Sequence, residues 1–337
     1  MRFGLFGSAE ANAPGGGPCD GFDDYIAYNV EAEALGYNST FLVEHHFTGW
    51  SQISATLNLL TWLAAKTTTL RVGTAVMVLP WHNPVLLAEQ AATLDVLSRG
   101  RLDLGVGKGY RHNEFKGFNV PAEEADARLE EALTILAKSW TSTERFSYHG
   151  RFWKFEDVVV EPRPLQKPHP PLWMGAASAT SIQRVAERGY GLLLDQYASP
   201  ATLQQRIALF RLETERRGRV FDPMSVVVAR DLYVAKNGAD KEAALHRHRE
   251  MQQRTLAISR DPNRPGGSHI LAYKHGDGDT EASMLYGTPD EIAKKLSSLQ
   301  AVGIEYVILN IGGQSRDSLR SFARDIRPGF TDGSRPE

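Results

Sequence analysis

"LRVGTAVMVLPWHNPVLLAEQAATLDVLSRGRLDLGVG", residues 70–107, sets a short apolar, β-branched run, a helical segment and a second apolar run end to end. The first run, to Pro80, reads as a strand, and "RLDLGVG" (101–107) reads as the next. The helix between them carries its own punctuation. Asn83 is placed to cap it, Pro84 stands in the first turn where its missing N–H is not needed, and Gly100 follows the end. A strand, a helix and a further strand at this spacing form a parallel crossover unit, which is right-handed.

The same unit recurs in both directions. Strand-like runs begin at "RFGLFG" (2–7) and "STFLVE" (39–44), and continue after the quoted stretch at "PLWMGA" (171–176), "YGLLLDQ" (190–196), "SVVVARDLYVA" (225–235) and "IEYVILNIG" (304–312). Helical spacing fills the gaps, as in "ISATLNLLTWLAAKT" (53–67) and "SATSIQRVAERG" (178–189). Length alone suggests two domains for 337 residues. Eight βα units instead predict one (β/α)8 barrel spanning residues 1–330, with a polar tail at 331–337. Two stretches interrupt the rhythm. Residues 144–170 read as a hairpin around His149-Gly150 followed by a Pro-rich segment, and residues 260–286 read as a long Gly/Asp-rich lid loop.

Composition narrows the function classes. Apolar residues make up 42% and charged residues 23%, as in an ordinary soluble globule. A net charge of −2 gives no general attraction to nucleic acid or to anionic membrane. The single cysteine, Cys19, excludes an internal disulfide. No run approaches the roughly 18 apolar residues of a membrane span, and the N-terminus lacks a signal-peptide core. A cytoplasmic location is the expectation.

A parallel barrel places its active site at the C-terminal ends of its strands, so the strand list becomes a site list. The exits carry Gly7-Ser8, Glu44-His45-His46, the 75–80 segment, Gly107-Lys108-Gly109, the 175–178 segment, Asp195-Gln196-Tyr197, Arg230-Asp231 and Gly312-Gly313. "GVGKG" is neither a dinucleotide fingerprint nor a P-loop. It marks either close approach of a ligand or a tight turn. "GAASATS" (175–181) offers hydroxyls and free N–H groups at a helix start, which suits a phosphate or a simple Ser cap. Glu44-His45-His46 admits a metal site, a structural role, or general acid–base chemistry. Neighbouring residues leaving a strand point opposite ways, so at most one of the two histidines faces the mouth squarely. The metal reading lacks an H-E-x-x-H pattern or any other ligand spacing.

Taken together, "VEHHFT", the quoted 70–107 stretch with Lys108-Gly109, "ASATSIQRVAERG" and "YGTPDEIAKKLSSLQAVGIEYVIL" resemble the bacterial luciferase-like family of flavin-dependent monooxygenases, over nearly the whole chain. The resemblance implies a flavin enzyme of the FMN branch. Reduced FMN would come from a separate NAD(P)H:flavin reductase, and O2 would oxygenate a small apolar organic substrate through a flavin 4a-hydroperoxide. It implies His45 as the catalytic histidine with Glu44 beside it, and a cis bond at Ala75–Val76 against the flavin ring. Phosphate contacts would come from Lys108, Ala177, Ser178, Thr180 and Ser181. Phe6, Phe47, Trp50 and Trp81 would line the substrate pocket under the 260–286 lid, and a homodimer would form through the helices after the second and third strands. Two positions depart from the luciferases: Gly107 stands where they have a reactive cysteine, and Ala177 where they have an acid. Both weigh against light emission. The rival readings are a deazaflavin (F420)-dependent oxidoreductase, a non-catalytic flavin-binding partner subunit, and a metal-dependent hydrolase.

Overall fold

The computed structural model describes residues 1–12, 17, 19–260 and 278–331. Eight parallel strands close on themselves: β1 (Arg2–Gly7), β2 (Ser39–Leu42), β3 (Arg71–Thr74), β5 (Leu102–Gly107), β8 (Leu172–Gly175), β9 (Gly191–Leu194), β10 (Val226–Val234) and β12 (Tyr306–Ile311). The ladder runs β12–β1–β2–β3–β5–β8–β9–β10 and back to β12, and every pairing in it is parallel. A two-residue strand, β4 (Met77–Val78), continues the third unit beyond β3 and pairs with the end of β5. The chain therefore folds as the (β/α)8 barrel that the repeated βα pattern predicts.

Alternation along the strands builds two cores. Outward-facing residues such as Phe3, Leu5, Val72, Leu104, Leu192, Val228 and Leu309 bury against the surrounding helices. Inward-facing Phe41, Trp173, Leu193, Val227, Ala229, Tyr306 and Ile308 fill the lumen. Phe41, Trp173 and Tyr306 meet edge to face with centroids 6.3–6.5 Å apart, an arrangement aromatic quadrupoles favour. The lumen is a packed plug in which space is scarce: a Cβ on Gly191 would lie 2.2 Å from the Trp173 ring. Below that layer Arg71 pairs with Asp103 at 2.7 Å. The plug directs any ligand to the rim.

The helices are α1 (Asp20–Ala34), α2 (Thr56–Lys66), α3 (Pro84–Leu97), α4 (His112–Gly117), α5 (Ala125–Thr141), α6 (Ala179–Arg188), α7 (Pro200–Arg216), α8 (Gly238–Ser259), α9 (Gly278–Ser283), α10 (Pro289–Ala301) and α11 (Arg316–Ser321). Asn83 caps α3, its Oδ1 accepting from the N–H groups of Val85 and Leu86. Thr288 and Glu291 form a reciprocal capping box on α10. The insertion after α5 is an antiparallel hairpin of β6 (Phe146–His149) and β7 (Lys154–Val158). A short strand, β11 (Leu285–Gly287), adds to the far end of β10. Of the expected lid, residues 261–277 lie outside the described residues, as do 332–337 of the tail. No described helix is long and apolar enough to cross a membrane.

Candidate active site

β2 ends at Leu42, where the chain leaves the barrel ladder and presents Glu44, His45 and His46 at the mouth. Glu44 is buried and collects four donors. His46 Nε2 donates at 2.8 Å, His82 Nε2 at 2.7 Å, Trp81 Nε1 at 3.3 Å and the Val78 N–H at 2.7 Å. Burial pushes its carboxyl pKa upward, but the bonds from His46 and His82, the His82 charge and the Val78 N–H outweigh burial and hold it at about 2. Glu44 thus ties the exit of β2 to the segment 77–82. His46 goes with it, packed edge to face on Phe118 at 4.7 Å and on Trp81 at 6.1 Å.

His45 turns the other way, as strand-exit parity requires of neighbours. Its Nδ1 lies 3.0 Å from Glu114 Oε1 on α4, and the same oxygen accepts the His46 N–H at 3.0 Å. An ionised carboxylate only accepts, so Glu114 keeps the proton on Nδ1 and leaves Nε2 as a lone-pair acceptor. Burial lowers the pKa of His45, Glu114 opposes that shift by its hydrogen bond, and the Arg111 charge reinforces it. The ring is 13% exposed, with Tyr110 edge-on at 6.3 Å. The partner of His45 is therefore Glu114. Glu44, which adjacency in sequence suggested, serves His46, His82 and Trp81.

The Ala75–Val76 peptide is cis. Ala75, Val76 and Phe6 pack at the edge of the lumen cluster. The Val76 side chain lies over the bare backbones of two strand ends. A Cβ on Gly107 would sit 2.7 Å from Val76 Cγ2, and one on Gly175 3.8 Å from Val76 Cγ1. Val76 thus covers the glycine ends of β5 and β8 with apolar surface.

At the next strand ends, Ser178 caps α6. Its Oγ accepts the Ser181 N–H at 3.2 Å and lies 2.9 Å from the Ser181 Oγ. Ala177, Ser178, Thr180 and Ser181 share this helix start, and Ser178 and Thr180 are exposed. Lys108, also exposed, pairs with Asp126 at 2.8 Å, and Asp126 lies 3.8 Å from Arg184 of α6. Asp126 thus brings Lys108 to the flank of the same helix. An exposed ion pair of this kind is worth little, so Lys108 is free to exchange partners.

The four aromatic candidates divide. Phe6 borders the lumen. Trp50 lies under the Arg254 guanidinium at 5.5 Å, beside a cleft of about 340 Å³ that Glu10 also lines. Trp81 stacks on Phe118 at 5.1 Å and meets Phe115 edge-on at 5.2 Å, as part of the Glu44 assembly. Phe47, 58% exposed, leans on Phe118. No group of three or more metal-ligating side chains occurs among the described residues.

A model of the luciferase-like monooxygenases matches residues 1–306. The chain belongs to that family. Its relatives are named monooxygenases and oxidoreductases, and it is an enzyme of that kind. It is 24% identical to the oxygenase component of flavin-dependent trigonelline monooxygenase of Acinetobacter baylyi, over 98% of this chain and 96% of that protein. It is 26% identical to an F420-dependent glucose-6-phosphate dehydrogenase of Microbacterium testaceum, over 97% of each. In fold it matches the oxygenating constituent of 3,6-diketocamphane monooxygenase from Pseudomonas putida, solved with FMN, with a TM-score of 0.79 at 20% identity, over 98% of this chain and 99% of that one.

Proposed function

We propose that this chain is the oxygenase component of a two-component flavin system. It takes reduced FMN from a separate NAD(P)H:flavin reductase and uses O2 to oxygenate a small organic substrate with an apolar body. The observation that carries this reading is the His45–Glu114 pair held just beyond β2, at the C-terminal end of the barrel.

Bound reduced flavin supplies activation of O2 at its carbon 4a; the protein supplies position and protons. Ala75 and Val76 support the ring face. Ser178, Ser181, Thr180 and the free N–H groups of the first turn of α6, with Lys108 swung from Asp126, hold the phosphate. His45 Nε2 accepts a proton from the reacting groups or hydrogen-bonds them, and Glu114 stabilises the imidazolium that results. Phe6 supplies apolar wall. A homodimer is supported by Trp62 of α2 and Leu86 and Leu97 of α3, which are 56%, 51% and 61% exposed.

F420-dependent relatives keep a second reading open, since the His45–Glu114 pair would also serve hydride transfer to or from a deazaflavin. An anaerobic titration separates the two. Reduced FMN should bind and, with O2 and substrate, give oxygenated product; binding of F420 with no binding of reduced FMN would overturn the proposal. Turnover also excludes the role of a non-catalytic flavin-binding partner.

A further inference from the structure

Arg111 stands between Tyr110 and α4, the helix whose Glu114 holds His45. It is 4% exposed, and its Nε and Nη1 atoms are buried without a hydrogen-bond partner. Its nearest aromatic neighbour is Tyr110, with the guanidinium carbon 5.9 Å from the ring centroid, and its charge is felt at His45.

Two partly enclosed arginines elsewhere in the chain are saturated instead. Arg101 donates to Ser98 O, Thr67 Oγ1, Leu70 O, Ala64 O and Thr67 O. Arg71 donates to both Asp103 oxygens and to two backbone carbonyls. Desolvating a guanidinium without acceptors is unfavourable, and a fold that saturates Arg71 and Arg101 leaves Arg111 open beside its reactive histidine. A planar cation with open donors is matched by the two oxygens of a carboxylate.

We propose that Arg111 is the anion-binding residue of the substrate site, and that the substrate is an organic acid, an apolar body bearing one carboxylate. The proposal rests on the oxygenase reading and narrows its substrate class. A carboxylate on Arg111 would lie close enough for the same guanidinium charge to be felt at His45. In the proposed function the flavin phosphate has its own donors, on α6 and at Lys108, so Arg111 is not needed there.

The probes are sodium benzoate and benzamide, nearly equal in shape and unequal in charge. They are titrated by calorimetry into the protein without flavin, and into the Arg111→Met, Arg111→Gln and Arg111→Lys variants, each checked for a native melting transition. Benzoate should bind the unaltered protein at least about tenfold more tightly than benzamide, the scale of a charged hydrogen bond. Met and Gln should abolish the preference and Lys should restore part of it. Reduced FMN affinity should change less than about threefold in Arg111→Met, well below the loss of one charged hydrogen bond. Equal binding of the two probes to the unaltered protein overturns the proposal. A preference that survives both Met and Gln also overturns it. Loss of reduced FMN binding in Arg111→Met with the benzoate preference intact overturns it too, and makes Arg111 a flavin counter-charge. If the unaltered protein prefers benzoate but binds no reduced FMN, the oxygenase reading falls and the carboxylate site stands.

Discussion

Replacing Glu44 by Gln tests whether its carboxylate is the fastener between β2 and the 77–82 segment. One oxygen of Glu44 receives His46, His82 and Trp81, and the other receives the Val78 N–H. An amide has one acceptor oxygen and one NH2 group. Whichever way the new amide turns, an N–H group faces another donor and is left buried and unpaired, at a cost of about 1–3 kcal/mol. The pKa gives a second route to the magnitude. Moving a carboxyl from 4.5 to about 2 on folding corresponds to about 3 kcal/mol of stability in the ionised form. Because the folded value is depressed, that stability is fully present above pH 4.5 and drains away as pH falls toward 2. Urea unfolding of the native protein and of Glu44→Gln at pH 7, 5, 4 and 3 should show a gap of about 3 kcal/mol at pH 7, shrinking to about 1 kcal/mol at pH 3. A gap of constant size across that range, or one under about 1 kcal/mol at neutral pH, would refute the assignment of Glu44 as an ionised fastener.

Three further outcomes are expected. Removing the Glu114 carboxylate as Gln takes away the group that raises the His45 pKa, so the acid limb of the kcat–pH profile should move to lower pH while the plateau falls about 10- to 100-fold; an unmoved limb would assign the titration elsewhere. Ser178→Ala should destabilise the protein by about 1 kcal/mol through loss of the α6 cap and weaken FMN while leaving riboflavin binding unchanged, as compared in parallel titrations. Trp62→Glu combined with Leu97→Glu should yield a monomer in sedimentation if α2 and α3 form the contact between copies, and an unchanged sedimentation coefficient would place that contact on another face.

The barrel is legible in sequence because each strand is a compact apolar run set off by capped helices. Asn83, Pro84 and Gly100 mark one such unit without ambiguity, and the strand order follows from right-handed crossovers. The exits then come from a single rule. Partnership at the mouth does not. Glu44 precedes His45 in the chain, yet Glu114, far along the sequence, holds it, since alternation sends Glu44 and His46 to one side and His45 to the other. α4 is six residues long, too short to show a helical period, so "RHNEF" reads as loop and hides both Glu114 and Arg111. The bond from the Trp81 indole N–H to Glu44 is likewise invisible in linear order. Side-chain polarity in irregular segments is spent on whatever lies nearest in space, which linear order does not disclose.

The attachment of His45 has a bearing on redesign. The barrel ladder stops at Leu42, so the His45 imidazole hangs beyond it and takes its aim from α4, a short appendage between β5 and α5. The turn leading into that appendage also supplies Tyr110 and Arg111. Grafting residues 110–120 from another member of the family would exchange the orienting acid, the flanking ring and the buried cation as one cassette. The strands, Lys108 and the Ala75–Val76 segment would be untouched, so a library confined to residues 110–120 tests whether this loop sets what the enzyme accepts.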